Sequence, residues 1–158
     1  MVPLRRLVIA TVFSVLLFLQ PGRSPAGRFC EGVVLRQETN PSAKPGEVLE
    51  YRISVRHFGG CSLSGIELVD YLPQAARLVA ASPQPDEALP AEPGSDGTAR
   101  VSRLSWRRPG IKPDEALDLA VQVRVPEAGE GWMRNVVCLS GPELLRRCAD
   151  IETFVRSD

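Results

Sequence analysis

The stretch that decides the fold is LEYRISV, residues 49–55. Leu49, Tyr51, Ile53 and Val55 stand at odd positions, and Glu50, Arg52 and Ser54 at even ones. Successive side chains of a strand point to opposite faces, so this stretch has one apolar face and one polar face. A helix would scatter its charges around the circumference. LDLAVQVRV, residues 117–125, repeats the pattern, with Leu117, Leu119, Val121, Val123 and Val125 on one side. Strands of this kind are half-buried members of antiparallel sheets.

Working outward, residues 32–38, 66–72, 78–82, 101–107, 133–139 and 149–155 are further strand candidates. Between them lie NPSAKPGE, GGCSLSG, RPGIKPDE and EAGEG, all rich in turn formers. Residues 83–99, PQPDEALPAEPGSDGTA, carry four prolines and read as a long mobile loop rather than a strand. PELLRR, 142–147, has the composition of one helical turn with proline in first position. No long helical period occurs after residue 26. Short strands at these spacings predict an all-β fold, an immunoglobulin-like antiparallel β-sandwich of seven to eight strands.

The amino terminus stands apart. Arg5 and Arg6 precede LVIATVFSVLLFL, an apolar run of 13 residues, and Ser24 and Ala26 supply the small residues of a cleavage site. Residues 1–26 therefore read as a secretory signal peptide and 27–158 as the sandwich domain, secreted or otherwise extracytoplasmic. An uncleaved anchor is the alternative, but a membrane span needs about 20 apolar residues. No stable membrane span is expected after cleavage. Loss of Arg5, Arg6 and Arg23 leaves 16 basic against 19 acidic residues, a net charge of −3. Nucleic-acid binding needs a basic footprint, so no nucleic acid is expected as partner.

Cys30, Cys61, Cys138 and Cys148 all follow the signal, in a compartment that permits disulfides. None forms a CxxC pair, and the chain has one histidine, so neither a metal site nor a cofactor is expected. Four cysteines allow three pairings. If the strand at 32–38 turns back onto 49–55, Cys30 lies beside Cys61. Cys138 and Cys148 flank LSGPELLRR as the two sides of a hairpin would. The expected bridges are Cys30–Cys61 and Cys138–Cys148.

In order along the chain stand KPGEVLEYRISV, Gly59-Gly60, GIELVDYLP, LSWRRPGIKPDEALDLAVQVRV and RNVVCL. This set resembles the bacterial conserved-repeat domain called domain of unknown function eleven. The matching positions are Pro45, Gly46, Tyr51, Gly59, Asp70, Leu72, Pro73, Trp106, Pro113 and Asn135, within residues 32–155. The resemblance implies an immunoglobulin-like module of secreted or surface proteins, with no known enzymatic activity. This chain differs in having a single copy, four cysteines, His57-Phe58 at the turn and Ala75-Ala76 after the Leu-Pro.

Within GIELVDYLP, Asp70 shares the parity of Ile66, Leu68 and Leu72, so it faces the core just before Pro73. A buried carboxylate needs partners, and free backbone N–H groups or an arginine at the strand end are the expected ones. Asp70, Leu72 and Pro73 thus read as a structural strand-end motif. Catalysis by Asp70 would need a second acid held opposite, and Glu50, Glu67 and Asp118 lie at outward parity. His57 has no GxSxG serine beside it and reads as a strand-end surface residue. Asp86, Glu87, Glu92 and Asp96 lack the spacing of a calcium loop. Lys44 with Asn135 is a poor isopeptide pair, because a turn lysine is not held neutral. Trp106 belongs to the core by parity, whereas Trp132, Phe58 and Tyr71 are candidate contact aromatics.

The reading is a non-enzymatic secreted or envelope-associated module acting through protein–protein contacts or as a structural element, with an unknown protein or cell-envelope partner. A carbohydrate- or cell-wall-binding module is the alternative, and a small secreted hydrolase is disfavoured. Edge strands can pair with other chains, which leaves the oligomeric state open.

Overall fold

The computed structural model describes residues 29–90 and 101–157. The expected signal peptide lies outside them. The described residues form ten strands: β1 Val33–Glu38, β2 Ser42–Ala43, β3 Val48–His57, β4 Leu63–Tyr71, β5 Arg77–Ser82, β6 Glu87–Pro90, β7 Val101–Ile111, β8 Ala116–Arg124, β9 Gly131–Gly141 and β10 Leu144–Val155. They make a four-stranded sheet in the order β1-β3-β8-β5 and a six-stranded sheet in the order β2-β10-β9-β4-β7-β6. All ladders are antiparallel except the short β2–β10 pair. The fold is an immunoglobulin-like β-sandwich, and its eight longer strands occupy the eight candidate segments.

The period of two explains the core. Leu49, Tyr51, Ile53 and Val55 of β3 are buried, as are Leu119, Val121 and Val123 of β8. Opposite them the six-stranded sheet presents Ile66, Leu68, Leu104, Trp106, Val137 and Leu139. The Trp106 indole is fully buried, and its Nε1–H donates to the Pro83 carbonyl at 2.8 Å. That bond satisfies the one polar atom of the largest core side chain.

Three expectations change. Residues 83–99 are not wholly loop: Glu87–Pro90 forms edge strand β6, pairing Glu87 with Ser105 and Leu89 with Arg103 on β7. The edge position tolerates Pro90 at the strand end. The Asp86 carboxylate also accepts the Arg107 backbone N–H at 2.6 Å, and its own N–H donates to Ser105 at 2.9 Å. Residues 91–99 lie outside the described set. Second, PELLRR forms no helical turn. Leu144 is buried and starts β10, because its side chain belongs to the core. Third, NPSAKPGE, GGCSLSG and RPGIKPDE are not all turn: the first holds β2, the second the start of β4 at Leu63, and in the third β7 continues through Pro109 and Gly110 to Ile111. A Cβ on Gly110 would stand 2.2 Å from the Leu63 carbonyl oxygen, so only glycine permits that strand contact.

No helix among the described residues is long and apolar enough to cross a membrane.

Candidate functional site

β4 and β9 carry two inward polar residues to one place between the sheets. The Asn135 Nδ2 amide donates to Asp70 Oδ1 at 2.6 Å, and both residues are fully buried. The partner is thus a side-chain amide from 65 residues away, not the arginine or backbone N–H groups expected at the strand end. Among the described residues, the buried Asp70 Oδ2 and Asn135 Oδ1 have no hydrogen-bond partner, and the buried Tyr51 hydroxyl has the Thr153 side chain beside it. Burial pushes the Asp70 carboxyl up to about 7, against the opposing pull of the Asn135 amide. Protonation places a donor on Asp70, and Asn135 Oδ1 is an unpaired acceptor, so the acid form suits this enclosure. Burial likewise pushes the Tyr51 phenol up; the Thr153 side chain pulls against that shift, and any charge on Asp70 adds to it.

His57 is not a surface residue. It is 1 % exposed, because it continues the inward parity of Val55 at the end of β3. Its Nε2 contacts the Cys61 carbonyl, and its Nδ1 accepts the Gly59 N–H at 3.3 Å. Asp114 N–H donates to the His57 carbonyl at 2.7 Å, which fixes this strand end. Asp70 lies on β4 in the other sheet, and neither residue lines the surface depressions described below. The structure therefore does not assemble Asp70 and His57 into one reactive cleft.

The cysteines pair as Cys30–Cys61 and Cys138–Cys148, with Cα separations of 6.1 and 4.1 Å. Cys138 and Cys148 are direct partners across the β9–β10 ladder. Leu72 and Pro73, the rest of the strand-end motif, are buried and close β4, where Leu72 N–H donates to the Ser102 carbonyl at 3.0 Å.

The candidate contact aromatics divide between two surfaces. Trp132 is 67 % exposed at the start of β9, with its ring 5.0 Å from that of Phe154 on β10. Beside it lies a shallow depression of about 170 Å³ bordered by Pro126, Met133 and Val155. Tyr71 is partly exposed on the same outer sheet face. Phe58, also 67 % exposed, instead borders an open trough of about 800 Å³ on the four-stranded sheet. Arg36, Arg52, Arg56 and Asp118 line that trough, and Arg56 holds Asp118 through bonds of 2.8 and 3.2 Å. Sequence reasoning did not group these residues; the outward parity of β1, β3 and β8 was the signal for them. The loop acids Asp86 and Glu87 are engaged with Arg107 and Arg103, while Glu92 and Asp96 lie outside the described residues.

No protein-family model matches the chain, and no curated protein matches it. Solved structures do. The chain is similar to the CARDB domain of a Pyrococcus furiosus protein in complex with di-metal ions, at 14% identity and a TM-score of 0.51, covering 81% of this chain and 90% of that one. It is similar to AvmM, which catalyses macrocyclization in alchivemycin A biosynthesis, at 12% identity, TM-score 0.52 and coverage of 81% and 90%. It is also similar to a Corynebacterium diphtheriae protein described as membrane anchored, at 10% identity and TM-score 0.58, covering 81% of this chain and 36% of that one. Proteins with such different roles share the architecture, so the likeness speaks to fold and function must be argued from sites.

Proposed function

We propose that this chain is a non-enzymatic, extracytoplasmic immunoglobulin-like module that works through protein–protein contacts. The observation that carries the reading is the division of its chemistry. The groups of catalytic type that the sequence offered, Asp70 and His57, are buried and apart, while Trp132, Phe154 and Phe58 reach the surface on outer sheet faces. Aromatic side chains give large contact area at small conformational cost, which suits a recognition surface. The signal-like residues 1–26 and the two disulfides support export. The resemblance to domain of unknown function eleven belongs to the same proposal. Its support is that two motif positions far apart in sequence, Asp70 and Asn135, are bonded to each other inside the fold.

The test is capture from native cell-envelope material with purified protein, followed by cross-linking and mass spectrometry. A defined protein partner lost on Trp132→Ala or Phe58→Ala is the expected result. Turnover in a hydrolase screen, abolished by Asp70→Asn or His57→Gln in folded protein, would overturn the proposal. A second reading, a glycan- or wall-binding module, is favoured by the exposed Trp132–Phe154 pair alone. Retention on purified cell-wall polysaccharide that depends on Trp132 would select it.

A further inference from the structure

The end of the sandwich at Cys30 holds a second kind of chemistry. The Sγ atoms of Cys30 and Cys61 and a ring nitrogen of His57 all lie within 4.8 Å of one another. Two of the three residues are fixed. Cys30 is buried and its N–H donates to the Glu143 carbonyl at 2.7 Å, and His57 is buried at the end of β3. A Cβ on Gly59 would stand 2.2 Å from the Glu31 carbonyl oxygen and 2.8 Å from His57 Cε1, so glycine lets the chain close tightly over the imidazole. Cys61 is different. It is partly exposed in the connection between β3 and β4, next to Gly60, around which a Cβ would meet nothing within 4 Å. One sulfur is therefore both reachable by a reductant and able to shift.

We propose that Cys30, His57 and Cys61 are a redox-gated site for a soft d10 cation of the zinc class, closed by the disulfide and opened by its reduction. A dithiol reductant delivers two electrons and two protons: the Cys30–Cys61 bond breaks, each sulfur becomes a thiol, and the dithiol becomes its own disulfide. Binding of a divalent cation then releases both thiol protons, so two thiolates balance the metal charge. Thiolate and imidazole are the ligands that such a cation prefers. Metal–sulfur and metal–nitrogen bonds of about 2.3 and 2.0 Å place tetrahedral ligand atoms roughly 3.5–3.8 Å apart. The three ligand atoms already lie within 4.8 Å of one another, and movement at Cys61 separates the sulfurs once their bond is broken. Nδ1, which holds the lone pair, takes the metal in place of the Gly59 N–H, while Nε2–H keeps donating to the Cys61 carbonyl and orients the ring as metal-bound histidines require. The partly exposed Cys61 side leaves the fourth position to water. The same three residues thus fasten the β3–β4 connection to the amino-terminal strand under either redox condition.

The experiment is zinc competition. Purified protein is reduced with a water-soluble phosphine, which is oxidised to its oxide and leaves no competing thiol. Zinc is then partitioned against a chromophoric chelator. Reduced protein retains one zinc per chain and oxidised protein retains none. His57→Gln weakens retention about tenfold or more, Cys30→Ser abolishes it, and Cys148→Ser leaves it unchanged. Failure of the reduced protein to retain zinc, equal retention by His57→Gln, or an equal loss in Cys148→Ser overturns the proposal. Should His57→Gln fail to show sheet circular dichroism, cobalt(II) added to reduced wild type decides. Thiolate charge-transfer and tetrahedral ligand-field bands support the site; octahedral bands alone refute it.

Discussion

Strand β9 carries two regions that share a backbone and differ in everything else. Asn135 points inward, fully buried, and its amide holds the Asp70 carboxyl. Three residues earlier Trp132 points outward, mostly exposed, and leans on Phe154. The inner pair is short of hydrogen bonds, since Asp70 Oδ2 and Asn135 Oδ1 have no partner among the described residues. A half-satisfied polar pair in the core costs stability, so removing either partner is damaging. The outer pair lies in water, where an aromatic contact contributes about 1 kcal/mol. Polar residues of this protein therefore matter to the fold when they face in, and under the proposed function apolar residues serve recognition when they face out.

The comparison is broken most easily from the inside. Asn135→Ala strips the Asp70 carboxyl of its one described hydrogen bond and should cost about 3 kcal/mol in urea unfolding. A loss below about 0.5 kcal/mol would mean that the Asp70 site reorganises freely and is not a structural clamp. A pH series sharpens the same point. Burial pushes the folded carboxyl up to about 7 from the 3.8 of an ordinary aspartate, so the folded state holds its proton more tightly than the unfolded state between those values. This contribution to stability is fully present below about pH 4, declines as pH rises towards about 7, and is constant above that. Asp70→Asn should flatten that slope, measured as the urea midpoint at each pH.

Smaller effects are expected on the outer face. Cys138 and Cys148 join strands that the β9–β10 ladder already holds. Their joint replacement by serine should cost roughly 2 kcal/mol, as for a short closed loop. Trp132→Ala should cost about 1 kcal/mol or less in unfolding, while it removes partner capture.

Much of this division could be read from residues alone, because parity is local. The alternation at 49–55 and 117–125 named the buried sides of β3 and β8, and the parity of Ile66, Leu68 and Leu72 placed Asp70 among them. Parity also sets His57 on the side of Val55, but the expectation of a strand-end surface residue set that aside, and the structure buries it. The partner of Asp70 was not legible. Asn135 stands 65 residues away, and no local pattern in one sequence reports a contact of that range. Nor was β6, four residues with a proline, whose existence depends on the free edge that β7 offers. The cysteine pairs were accessible because each follows from one strand return.

The most direct test of the inside–outside account is the equilibrium affinity of the captured partner for three folded proteins: wild type, Asp70→Asn and Trp132→Ala. The account predicts an Asp70→Asn affinity within about twofold of wild type, and a loss of tenfold or more for Trp132→Ala, as for an aromatic anchor worth at least about 1.4 kcal/mol. The reverse order, with binding lost in Asp70→Asn and kept in Trp132→Ala, would contradict it.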